Sequence, residues 1–182
     1  FLTCMVVAGI LGWVNSITKD KIAAITWEKT VAAMQQVITA DDFSDAMELT
    51  DDMTAAAAAQ GGTLDAVYEA QSGGQVVGYA INVEASGSQG IISMMVGIDT
   101  DGAVTGVSIV TNAETSGIGS KVMSNEPLAN GTGVLDQFIG KSAADGTLAV
   151  GTNVDAITGA TVSSKGVTTG VNTALAAAGA IG

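Results

Sequence analysis

Four hydroxyl side chains, Thr158, Thr161, Ser163 and Ser164, gather around the pair Gly159-Ala160, a short step after Asp155. A hydroxyl at such a position can accept an ester or cap a helix. Downstream, Val167, Val171, Ala174, Leu175 and Ala178 recur at helical spacing, so a helix is expected to start at this cluster. The backbone N–H groups at a helix start are unpaired and carry partial positive charge, which favours a phosphate there. Gly159 and Ala160 add little side-chain bulk, so the backbone from them to Val162 can approach a ligand closely. The same residues also admit a purely structural reading, in which Thr158, Thr161 or Ser163 is an N-cap preceded by a loop glycine. Lys165 would either offset the charge of a phosphate or stand exposed on the helix, and Asp155 would order the loop.

A second cluster reads Thr111-Asn112-Ala113-Glu114-Thr115-Ser116-Gly117-Ile118-Gly119-Ser120-Lys121. Taken alone it is a strand-to-helix loop with Thr115 or Ser116 as a cap.

Read together, the two clusters resemble the FMN-binding domain family. Thr158-Gly159-Ala160-Thr161 is similar to that family's Ser/Thr-Gly-Ala-Thr motif, whose last Thr carries FMN through a phosphoester. The resemblance implies Thr161 as the covalent attachment site. Thr158, Gly159, Ala160, Val162, Ser163 and Ser164 would then surround the phosphate, with Asp155 part of the motif that a flavin transferase reads. The second cluster is similar to the family's His-x-Glu-Thr-Pro-Gly-Leu-Gly segment, which lies beside the flavin. Glu114, Thr115, Gly117 and Gly119 match and Ile118 is a conservative match, while Asn112 stands in place of His and Ser116 in place of Pro. Glu114, Thr115, Gly117 and Ile118 are thus expected to border the ring, with no catalytic group beyond the flavin and no metal.

The residue types that are missing narrow the chemistry. The 182 residues include no His, one Cys and one Pro, and all six basic side chains are Lys. Without His the chain cannot supply a Ser-His-Asp triad, a histidine zinc site or a haem axial histidine. One Cys cannot ligate an iron–sulfur cluster alone or close an internal disulfide. Without Arg there is no bidentate phosphate clamp, so an acidic chain that keeps FMN needs another anchor, and an ester is one. The formal net charge of −12 also lacks the basic stripe that nucleic acid demands.

These clusters must be positioned by the elements before them. Phe1 to Val14 is uncharged and almost wholly apolar, and no charge appears before Lys19. Residues 1–18 therefore read as a single transmembrane anchor, close to the roughly 20 residues a span needs. No small-residue cleavage pattern follows, which argues against a signal peptide. Cys4 is a small apolar filler within it. Because the chain opens on Phe, further residues are expected upstream. Residues 19–40 read as a connecting amphipathic helix, with Ala24, Trp27, Val31, Met34 and Ile38 on one face. Asp41 to Asp52 holds six carboxylates and reads as a water-facing surface that does not match an EF-hand loop.

Residues 41–182 read as one α+β domain. Four strands, Ala66–Gln71, Gln75–Glu84, Ile91–Asp99 and Ala103–Thr111, alternate or run apolar between Gly-rich turns, Asp101-Gly102 being a hairpin signal. An antiparallel meander is expected, followed by short helices at Gly117–Met123 and Val134–Ile139 and then the helix after Thr161.

Within the family, an N-terminal anchor, one compact domain and an end soon after the last helix are most similar to the G subunits of Rnf complexes. The C subunits of sodium-translocating NADH:quinone oxidoreductase are related by the same motif. The resemblance implies an electron relay between ferredoxin and NAD in a complex coupled to ion transport. Its partners would be the other membrane subunits of the complex, and a flavin transferase would load the FMN. It further implies the cytoplasmic membrane of a prokaryote, a single pass, and the flavin domain on the outer face. Lys19 and Lys21 beside the anchor point instead to the cytoplasmic side. A C-type subunit of sodium-translocating NADH:quinone oxidoreductase, an extracellular flavin reductase, and a membrane-anchored extracellular binding or structural module without cofactor are the alternatives.

Overall fold

The computed structural model describes residues 27–114 and 117–181. The chain divides into two compact units, Phe1–Ala32 and Ala33–Gly182. In the first, the described residues 27–32 are helical. The expected anchor at 1–18 lies outside the described residues, and among those described no helix is long and apolar enough to cross a membrane.

Residues 27–37 carry helical backbone (α1). Within the second unit, Ala33, Met34, Val37 and Ile38 are buried; of the expected apolar face these include Met34 and Ile38, whereas Trp27 is exposed. Thr105 donates its hydroxyl to the Val37 carbonyl. A Cβ placed on Gly97 would come within 2.3 Å of that carbonyl oxygen, so the glycine is what lets this turn lie on the sheet.

The sheet has five antiparallel strands in chain order: β1 (Asp42–Phe43), β2 (Thr63–Ser72), β3 (Gln75–Ser86), β4 (Ile91–Asp99) and β5 (Val104–Asn112). The expected meander is therefore present, with β2 starting earlier than the alternation indicates and a two-residue edge strand added before it. Register is fixed at the β3–β4 hairpin, where Ser86 faces Ile91 and Val83 faces Met94. Strand β4 is buried almost throughout, covered on both faces, which accounts for its continuous apolar run.

Helix α2 (Asp51–Ala59) is capped by Thr50, whose hydroxyl accepts from the Met53 N–H at 3.2 Å, and Asp51 and Asp52 occupy its first turn. Acidic side chains there oppose the positive end of the helix dipole. All six carboxylates from Asp41 to Asp52 are exposed. Helix α3 (Ile118–Met123) follows the sheet, and α4 (Thr161–Ala178) closes the fold. The segment expected to be helical at Val134–Ile139 is instead a single 3-10 turn, Asp136–Phe138, because Ile139 is already extended and Gly140 follows at positive φ. Phe138 is the largest fully buried side chain of this region.

The core lies between one face of the sheet and α4. Ile81, Val83, Ile92, Met94 and Val96 meet Val167, Val171, Ala174 and Leu175. The helix approaches closely because its sheet-facing surface includes Gly166 and Gly170. An added Cβ would fall 2.6 Å from the Ser86 carbonyl oxygen at the first and 2.5 Å from the Met94 side chain at the second.

Candidate functional site

The hydroxyl cluster is shaped by a turn and a helix start. Ala160 N–H donates to the Ile157 carbonyl at 2.9 Å, and Gly159 within that turn has φ of 84°, a conformation that favours glycine. Ala160 is the N-cap residue of α4, and it has no side chain able to accept from the first turn. The N–H groups at the start of this eighteen-residue helix therefore have no side-chain cap. Thr158, Gly159, Thr161 and Val162 are exposed there, and Val162 is 57% exposed despite being apolar.

Ser163 and Ser164 are buried. Ser163 Oγ donates to Glu114 Oε2 at 2.7 Å. Ser164 Oγ has no hydrogen-bond partner, while the Ser164 carbonyl accepts from the Thr168 hydroxyl at 2.8 Å. Asp155 is held by its backbone: its N–H donates to Gln137 Oε1 at 2.8 Å, and its carbonyl accepts from Gln137 Nε2 at 3.0 Å. Its own carboxylate, like the Lys165 side chain, is exposed.

Glu114 joins three parts of the molecule. Besides Ser163, it accepts the Ser88 N–H at 2.6 Å and the Gln89 N–H at 3.3 Å, both through Oε1. Those amides belong to the tip of the β3–β4 hairpin, closed by the Gly87 N–H donating to the Gly90 carbonyl at 2.7 Å. Asn112, at the position where a His would be expected, accepts the Glu114 N–H through Oδ1 at 3.1 Å and so helps to set the turn.

Between these elements lies a cleft of about 430 Å³. Its walls are the hairpin tip at Ser88 and Gln89, the Glu114, Gly117 and Gly119 segment, and residues 159–163 at the start of α4. A volume of this order lies within the range of small-molecule sites. The two clusters, far apart in sequence, thus face one cleft. Thr158, Ser164 and Asp155 do not line it. Thr115 and Ser116 lie outside the described residues, as does the side chain of Ile118. Ser88 and Gln89 carry no sequence signal for this role, because they enter through main-chain groups of a Ser-Gly-Ser-Gln-Gly turn.

The site fits a flavin phosphate in its donor set: an uncapped helix start, an exposed threonine hydroxyl on its first residue, and a glycine turn that leaves the approach open.

The FMN-binding domain family matches residues 87–176, a stretch that runs from the hairpin tip through most of α4. The G subunit of the Na(+)-translocating ferredoxin:NAD(+) oxidoreductase complex of Acetobacterium woodii is 42% identical over 115 residues, covering 58% of this chain and 51% of that protein. The G subunit of the ion-translocating oxidoreductase complex of Methanosarcina acetivorans is 30% identical over 176 residues, covering 93% of this chain and 86% of that protein. Its counterpart in Aliivibrio fischeri is 31% identical over 171 residues, covering 88% and 78%. The chain spans about half the length of the Acetobacterium relative and most of the other two. The chain belongs to the family of G subunits of ion-translocating oxidoreductase complexes and contains that family's FMN-binding domain.

Proposed function

We propose that this chain is the electron-relay subunit of a membrane-bound, ion-translocating ferredoxin:NAD oxidoreductase, with FMN held as a phosphoester on Thr161. The observation that carries the reading is the position of Thr161: an exposed hydroxyl on the first residue of α4, at a helix start without a side-chain cap and on the wall of the cleft. Thr161 would hold the group through its Oγ1: loading from FAD by a transferase would join that oxygen to the FMN phosphorus with AMP as the leaving group, and the hydroxyl proton would pass to solvent or to a base of the transferase.

The N–H groups of the first turn of α4 would then face the esterified phosphate. The hairpin tip and the Glu114 to Gly119 segment would border the ring. When bound, FMN supplies the one- and two-electron chemistry, and the chain supplies position and electrostatic surroundings. A covalent anchor suits a domain with no Arg to hold a dianion by charge.

Residues 1–18 would anchor the chain as a single pass of the cytoplasmic membrane, residues 19–40 would connect, and residues 41–182 would form the flavin domain on the outer face. The partners are the other membrane subunits of the complex and, during maturation, the flavin transferase. The test is co-expression with such a transferase, followed by denaturing electrophoresis. A fluorescent band is expected for the native sequence and none for Thr161→Ala. A dark native band, or fluorescence that survives the substitution, would contradict the reading.

A further inference from the structure

Among the described residues that line the cleft, Glu114 alone carries a charged side chain, and no Lys stands among them. Its carboxylate is held at both oxygens, by the Ser88 and Gln89 amides on Oε1 and by the Ser163 hydroxyl on Oε2. The backbone closes on it from two sides. A Cβ on Gly87 would lie 2.2 Å from Oε1, and one on Gly119 would lie 2.4 Å from Oε2. The chain thus holds a negative charge on the cleft wall and takes three hydrogen bonds from two elements to keep it there.

We propose that Glu114 is a fixed negative charge that lowers the reduction potential of the flavin in this cleft. The inference rests on the reading that FMN occupies the cleft from Thr161. Each electron that enters without a proton adds one negative charge to the site, and a like charge held nearby opposes it. That opposition is weakly screened where the carboxylate is partly buried. Glu114 acts through its charge, while Ser163 is one of the three donors that hold its carboxylate.

The experiment is a spectrophotometric titration of the flavinylated full chain with dithionite, which is oxidised as the flavin is reduced, against dyes of known potential. Glu114→Gln keeps the shape and removes the charge. It is expected to favour the reduced state by about tenfold, equivalent to about 59 mV for a one-electron step. Ser163→Ala keeps the charge and is expected to stay near the native potential. Gln89→Lys, on the exposed hairpin tip, sets a positive charge on the same wall and is expected to raise the potential. If Glu114→Gln yields no folded flavoprotein, Gln89→Lys decides the matter. An unchanged potential in flavinylated Glu114→Gln, or in Gln89→Lys where that variant decides, overturns the proposal. So does a shift in Ser163→Ala as large as that in Glu114→Gln, which would make geometry rather than charge the cause. A native chain that takes up no flavin would defeat the functional reading itself, and the dark gel band tells that failure from this one.

Discussion

Ser163 donates its hydroxyl to Glu114 Oε2 at 2.7 Å across 49 positions of sequence, tying the first turn of α4 to the loop that leaves β5. Ser163 is buried at 1% exposure, so water cannot readily replace this acceptor. The same carboxylate caps the amides of the β3–β4 hairpin tip. One side chain therefore holds the walls of the cleft at fixed separation.

Replacing Glu114 by Ala leaves the buried Ser163 hydroxyl without its acceptor, while the Ser88 and Gln89 amides, on exposed residues, can turn to water. A loss of about 1–3 kcal/mol is expected, since an orphaned buried donor costs that much. Urea denaturation of the native and variant chains checks it, and Glu114→Gln should lose less because an amide still pairs with each partner. Equal stability of Glu114→Ala and the native chain would mean that the clamp contributes nothing.

Two glycines on the buried side of α4 separate space from helix propensity. Gly166→Ala would press a Cβ to 2.6 Å from the Ser86 carbonyl oxygen, which is backbone and cannot step aside. A net loss of about 1–3 kcal/mol is expected from overpacking. Gly170→Ala meets instead the end of the flexible Met94 side chain, at 2.5 Å, and it gains helix propensity of about 1 kcal/mol. Thermal unfolding should rank Gly170→Ala clearly above Gly166→Ala, and the opposite order would count against the packing described.

Acid stability should depend on Asp41. Its carboxyl is held below its ordinary value, first by the Ser72 hydroxyl and then by the Gly73 N–H, which donate to Oδ2 at 2.6 and 3.1 Å. A carboxyl whose value is lower in the folded state contributes stability above its unfolded value, and that contribution is lost as pH falls through the folded value. Denaturation curves collected from neutral pH into the acid range should therefore converge for native and Asp41→Asn chains at the acid end. Parallel curves would show that the β2–β3 hairpin gains nothing from this charge.

How far the sequence discloses the fold depends on what kind of group makes each contact. The strands were legible because Val77, Tyr79, Ile81 and Val83 alternate, as do Ile92, Met94, Val96 and Ile98 within the mostly apolar run of β4. Helix α4 was legible from its apolar spacing, and the site motif from Thr158 to Thr161. Helix α2 was missed because its alanine run has no contrast between faces, although Thr50 before Asp51-Asp52 is a cap signal. The sequence around the 3-10 turn at Asp136–Phe138 suggests a longer helix because its apolar residues mark burial without marking length. The role of Ser88 and Gln89 was illegible for another reason: they reach Glu114 through amides that every residue possesses. Ser163 gave the right residue type, but a hydroxyl alone does not say whether it will face a ligand or a carboxylate.

One hydroxyl, Thr161 at the head of α4, is proposed to carry the flavin. Peptide-resolved mass spectrometry of the chain made with its transferase tests it most directly, since the residue bearing the adduct is read without reference to activity. The expected result is one FMN phosphoryl adduct per chain, confined to the peptide containing residues 158–164 and assigned to Thr161 by fragmentation. An adduct on Thr158 or Ser163, or an unmodified chain in the presence of a transferase active on a known substrate, would contradict the account.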